Sequence, residues 1–273
     1  MKLFAIIQLT FRESLARKTF IAFFGLSTLV NLLFLFALNL DIVDGAESYI
    51  SLFGKEIDQA FELEKIVYGI ESVVAVGLFT GGVFMSLFAT SSLIPAFLEK
   101  GSIDLLISKP LSRFTILAGR YLGAVAIVAF NVFYLVGFSW LILSFKTGVW
   151  NFGFLLSGVM IVLTYAILYA LMAFLGVTIR SGPFSLMITY AILFFSPLLL
   201  QREAIYALLS GKFWGYLLDF LYHFLPKTTE LGNITRMLVQ HADIGSWLPV
   251  LTSLLFGALM LGAASMIFKR KDF

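Results

Sequence analysis

The chain has 273 residues, is 60% hydrophobic and only 13% charged, and has a mean hydropathy of +0.98. An ordinary soluble domain is roughly 45–50% apolar and about 25% charged, so a soluble core of this size cannot hide the excess and the bilayer must act as solvent. A formal charge of +3, with basic residues spread along the chain, gives no basis for nucleic-acid binding, and the lack of cysteine excludes disulfides, thiolate metal sites and a cysteine nucleophile.

The first 18 residues, MKLFAIIQLTFRESLARK, begin like a signal peptide. Their apolar run is short, however, and Arg12, Arg17 and Lys18 follow it without a small-residue cleavage site. A retained amphipathic helix on the membrane surface is expected, with Leu3, Ile6, Ile7 and Phe11 facing lipid. Six stretches then reach the roughly 20 apolar residues that spanning requires. They cover about 19–40, 66–98, 114–145, 152–179, 183–201 and 247–268. The expectation is an all-α integral membrane protein forming one domain over 1–273.

The second and third spans exceed the length that crossing needs, so their extra turns are expected to project and hold residues 99–113 away from lipid. Residues 41–64 form an acidic segment (Asp41, Asp44, Glu47, Glu56, Asp58, Glu62, Glu64) between the first two spans. After the fifth span, FWGYLLDFLYHF (213–224) places Phe213, Leu217, Phe220 and Phe224 on one helical face. At this length it is an interfacial helix or half of a re-entrant hairpin. With the N-terminus in the cytoplasm, twelve basic residues fall inside (Lys2, Arg12, Arg17, Lys18, Lys100, Lys109, Arg113, Arg120, Arg180, Lys269, Arg270, Lys271). Seven fall outside, four of them in one long loop. Both termini inside is the expected topology.

Catalytic chemistry is not expected. His223 and His241 both lie in the loop before the last span, without further ligands at metal-binding spacing, and no histidine falls in a span to serve a hydrolase. Gly54-Lys55 is followed by Glu and Gly211-Lys212 by Phe, so neither pair is a phosphate-cradling loop. Glu71 is the one acid inside a span and a candidate for a substrate path. Asn31 and Asn131 are expected to bond between helices, and the small residues of 77–85 and 88–92 to let helices approach closely or else to line a path. Pro95 is expected to kink the second span.

Between the two long spans lies EKGSIDLLISKPLSR (99–113). Gly101 breaks the helix before it and Ser102 can cap a new one. Asp104 then falls in the first turn, where the helix dipole favours an acid. Ile103, Leu106 and Ile107 share one face, Pro110 ends the element after Lys109, and Ser112 is placed to cap the next span. A seven-residue helix is expected, either a plain interfacial loop element or a knob that seats in a groove on a cytoplasmic partner.

FLEKGSIDLLISKPLSRFTILAGRYLG (97–123) closely resembles the segment between the second and third helices of type-2 ATP-binding-cassette (ABC) transporter permeases, and FKRKDF (268–273) resembles that family's basic ending. The resemblance covers the whole chain in layout and about 30 residues by motif. It implies six spans, an N-terminal cytoplasmic interfacial helix, a cytoplasmic coupling helix between helices two and three, and an outer helical hairpin before helix six. It implies an export permease in a bacterial or archaeal cell membrane, docked on separate ABC ATPase subunits that bind ATP and Mg. A second permease chain, identical or paralogous, would complete the transporter. Docking would fall on Glu99, Lys100, Gly101, Ser102, Ile103, Asp104, Leu105, Leu106, Lys109 and Arg113, with Arg12, Arg17 and Lys18 facing the same partner. Two other classes stay open on sequence alone: an ion-gradient-driven secondary transporter, with Glu71 as its titrating group, and a non-transporting membrane assembly subunit.

Overall fold

A computed structural model describes residues 2–15, 18–36, 38–43, 47–52, 55–61, 63–99, 101, 112–208 and 212–271, with backbone alone over 38–61. The knob at 102–111, including Ser102, Ile103, Asp104, Leu105, Leu106 and Lys109, lies outside the described residues, as do Lys100 and Arg17.

Helix α1 (Lys2–Leu15) meets α2 (Lys18–Phe36) at 74°. The second span is a composite. Helix α3 (Leu63–Gly77) passes through a π turn (Leu78–Gly82) into α4 (Val83–Thr90), then a turn at Ser91–Ser92, then α5 (Leu93–Phe97). The break has a local cause: the Pro95 ring would collide with the carbonyl four residues back, at Ser91. That carbonyl lies beside Gly182, where a Cβ would sit 3.0 Å away. Helices α6 (Arg113–Thr147), α7 (Phe152–Ile179) and α8 (Gly182–Leu200) follow as three further spans. Short α9 (Arg202–Leu208) leads to a hairpin of α10 (Lys212–Phe224) and α11 (Thr228–Val239), and α12 (Leu248–Arg270) closes the chain.

Five helical segments are long and apolar enough to cross a bilayer, and a sixth is counted when α1 and α2 are taken as one bent pair. The protein is a multi-pass integral membrane protein. One helix is central: 67% of the apolar stretch of α7 is buried, against 28–33% for the other four. Its Tyr165 and Tyr169 rings stack at 5.5 Å, and Tyr121 of α6 adds a third ring at 5.7 Å. The Tyr165 hydroxyl donates to Thr90 of α4, which satisfies the one polar atom such a buried ring brings. At 1.5 Å per residue α6 is about 52 Å long, well beyond a hydrocarbon core of about 30 Å.

The acidic segment departs from an all-helical description. Residues 38–61 form a three-stranded antiparallel meander: β1 (Leu38–Val43), β2 (Glu47–Leu52) and β3 (Lys55–Phe61). Leu38 pairs with Leu52, Val43 with Glu47, and Leu52 with Lys55, with a register shift between Ser48 and Ile50. The signal was present, since Leu38, Leu40 and Ile42 alternate with Asn39 and Asp41 in the period of a strand.

Helix α1 is also not free on the membrane. Ile6, Thr10 and Ser14 are buried, whereas Leu3, Phe4 and Leu9 are exposed. Ile6 and Thr10 press on Gly119 and Gly123 of α6, where a Cβ would come within 2.7 and 2.6 Å. Glu13 accepts from the buried Arg120 guanidinium, and Phe11 meets Phe130 edge-on at 6.2 Å. The glycines of GRYLG (119–123) sit four apart, the spacing that lets two helix backbones touch. Ile6 and Phe11 therefore pack on α6 rather than on lipid.

Candidate functional site

Helix α1, residues 98–99, 101 and 112, the end of α12 and the Arg180–Ser181 turn gather at one end of the bundle; the sheet and α9–α11 lie at the other. At this end the two described residues that flank 102–111, Gly101 and Ser112, have the backbone that capping requires. Gly101 has φ +89°, a conformation that favours glycine. Ser112 is an extended N-cap whose Oγ accepts from the Thr115 amide at 3.1 Å.

Immediately after this cap, Arg113 Nη1 donates to the carbonyls of Phe268 (3.1 Å), Lys269 (3.1 Å) and Lys271 (2.5 Å). Lys271 Nζ in turn donates to Val177 (2.6 Å) and Thr178 (2.9 Å), at the end of α7. Desolvation, with Arg180 nearby, holds the Lys271 ammonium below the ordinary lysine pKa. Each cation neutralises the negative end of a neighbouring helix. Two ties thus follow one another at this end, from Arg113 at the start of α6 to the end of α12, and from Lys271 to the end of α7. Sequence reading placed Arg113 on the docking surface; the structure places its guanidinium on α12. Of the remaining docking residues, Glu99 and Arg12 are exposed, and the Lys18 side chain is outside the described residues.

At the opposite end, Glu71 is fully buried. Asn151, just before α7, donates through Nδ2 to Glu71 Oε2 (2.6 Å) and to the Val239 carbonyl (2.8 Å). One amide thereby ties α3, α7 and α11 together. Gly153 makes this junction possible, because a Cβ there would lie 2.0 Å from the Leu238 carbonyl oxygen. Asn31 does bond between helices, accepting from Ser139 at 2.8 Å. Asn131 instead donates within α6, to Ile127 at 3.4 Å. His223 contacts the Asp219 carbonyl of its own helix, and His241 lies against the Tyr68 ring at 5.3 Å.

A cavity of about 470 Å³ opens between three walls. The α3 wall and π turn contribute Val76, Phe79, Thr80 and Gly81, and α4 adds Phe84; α8 contributes Leu193, Phe194 and Pro197. The third wall is α11, with Thr229, Gly232, Asn233 and Arg236. Glu71 does not line it. The small residues of 77–85 were expected to bring helices together, yet a Cβ at Gly77 or Gly81 meets nothing within 4 Å. Gly232 does the packing instead, with the Phe79 ring 2.9 Å from where its Cβ would stand. A π turn inside an α-helix frequently marks a functional position.

Compared with protein-family models and with curated protein sequences, the chain matches none of them.

Proposed function

We propose that this chain is the membrane-spanning permease of an ABC transporter, an exporter in which ATP hydrolysis by a separate cytoplasmic ATPase drives movement of a substrate. The termini end faces the cytoplasm, residues 101–108 form the coupling helix, and Glu99, Asp104 and Leu106 meet the ATPase. Helix α1 lies against the same partner through Arg12, Arg17 and Lys18. A second permease chain completes the pathway. The observation that carries this reading is the pair of ties after Ser112: Arg113 holds the end of α12 and Lys271 the end of α7, so force applied to 101–108 would reach two spanning helices. The locked crossing of α1 on α6 supports it, because both elements would then move as one lever.

Purification of the tagged chain from its native cells in mild detergent tests the reading. An ATP-hydrolysing protein is expected to accompany the wild type and to be recovered at least tenfold less with Asp104→Arg, a loss of about 1.4 kcal/mol or more. A chain that purifies alone would overturn it. Orientation has its own test, since the protein has no native cysteine. Ser48→Cys is expected to react with a membrane-impermeant maleimide in intact cells, and Ser102→Cys only after lysis. The reverse pattern would invert the topology.

A further inference from the structure

Helix α11 carries two faces. Leu231, Ile234, Thr235 and Val239 are buried, recurring at i, i+3, i+4 and i+8 against the bundle. Thr229, Gly232, Asn233 and Arg236 recur at i, i+3, i+4 and i+7 and line the cavity. The other walls are apolar and aromatic, with Phe84 stacked on Tyr190 at 4.0 Å and edge-on to Phe194 at 6.2 Å. Arg236 is the one charged residue among those lining the cavity, and no carboxylate lines it. Among the described residues its guanidinium has no hydrogen-bond or ion-pair partner, and it is exposed. The space is within the roughly 300–1,000 Å³ of ligand sites for drug-sized molecules.

We infer that this cavity binds an anionic amphiphile, with its single anionic group on Arg236 and Asn233 and its apolar tail between Phe79, Phe84 and Phe194. The polar stripe and the apolar walls divide the space as such a molecule is itself divided. Arginine is suited to the head group, because its planar fork can meet a carboxylate or phosphate with two parallel hydrogen bonds. The ligand exchanges with the medium. That it is the transported substrate rests on the permease reading; that it binds does not.

The test uses the full chain in detergent and a fluorescent dansylaminododecanoic acid as probe, with dodecanoic acid, methyl dodecanoate and inorganic phosphate as competitors. Saturable binding is expected, weakened at least tenfold by Arg236→Gln and at least tenfold by Gly81→Leu. The second variant fills the cavity from a position whose Cβ meets nothing within 4 Å, so it leaves the helix packing intact. Unchanged melting of both variants separates lost binding from lost folding. The free acid is expected to displace the probe, and neither the ester nor phosphate is. Displacement by the ester as efficiently as by the free acid would overturn the anionic requirement, and displacement by phosphate alone would reduce the site to an anion site. Mass spectrometry of the purified chain separates the sources: a native anionic phospholipid that the probe does not displace would make this a resident-lipid site and overturn exchange. A chain that binds the probe but brings no ATPase would sink the permease reading and leave this one standing.

Discussion

Gly153→Ala is expected to remove about 3 kcal/mol of stability. The new methyl would sit 2.0 Å from the Leu238 carbonyl oxygen and 2.9 Å from Asn151 Oδ1. The first of these is backbone, so no flexible side-chain end can swing away and α11 itself must retreat from α7. Overfilling a packed site costs about 1–3 kcal/mol. Retreat also breaks the bond from Asn151 to the Val239 carbonyl and loosens the one holding Glu71, and a buried polar group left without its partner costs about 1–3 kcal/mol. A control of the same chemistry is Gly137→Ala in α6, where a Cβ meets nothing within 4 Å. It is expected to be neutral or to gain up to about 1 kcal/mol from helix propensity. Thermal unfolding of both variants in one detergent reads the difference, and equal melting would mean that α11 is not seated on α7 as described.

The same junction explains what the sequence could and could not disclose. Spans were legible because each is a long apolar run, and α7 falls on the expected 152–179. Ser112 and Gly101 were legible because capping is written in residues three apart or in one positive φ. Glu71 was legible as an oddity, an acid in an apolar run, but not as an anchor. Its partner, Asn151, is 80 positions away and lies in what reads as an ordinary loop before a span. Gly119 and Gly123 carried a readable signal in their four-residue spacing, yet only the arrival of α1 on that face makes it a crossing rather than a lipid-facing groove. The cavity was the least legible part. A π turn shifts the residues within and after it around the helix axis, so Gly81 and Gly82 took positions that regular 3.6-residue spacing does not assign. Arg236 resembled any loop arginine until α11 turned it toward Phe84 and Phe194.

If the chain is the proposed permease, Arg113→Ala is expected to separate attachment from transmission. Asp104→Arg acts at the knob and should release the ATPase; Arg113→Ala should leave the ATPase bound, because the guanidinium is engaged with the last carbonyls of α12. What the substitution removes is the tie between the start of α6 and the end of α12, worth about 2 kcal/mol for a charged donor on backbone acceptors. The native lack of cysteine supplies a readout that needs no knowledge of the substrate. Thr80→Cys places a thiol in the cavity wall, and in the intact complex its rate of maleimide labelling is expected to change at least tenfold when ATP and vanadate trap the ATPase, about 1.4 kcal/mol of altered exposure. Adding Arg113→Ala should abolish that change while ATPase recovery stays at the wild-type level. Loss of the ATPase with Arg113→Ala would return this residue to the docking surface. A labelling change that survives the substitution would show that the two ends communicate by another route, of which the crossing of α1 on Gly119 and Gly123 is the nearest.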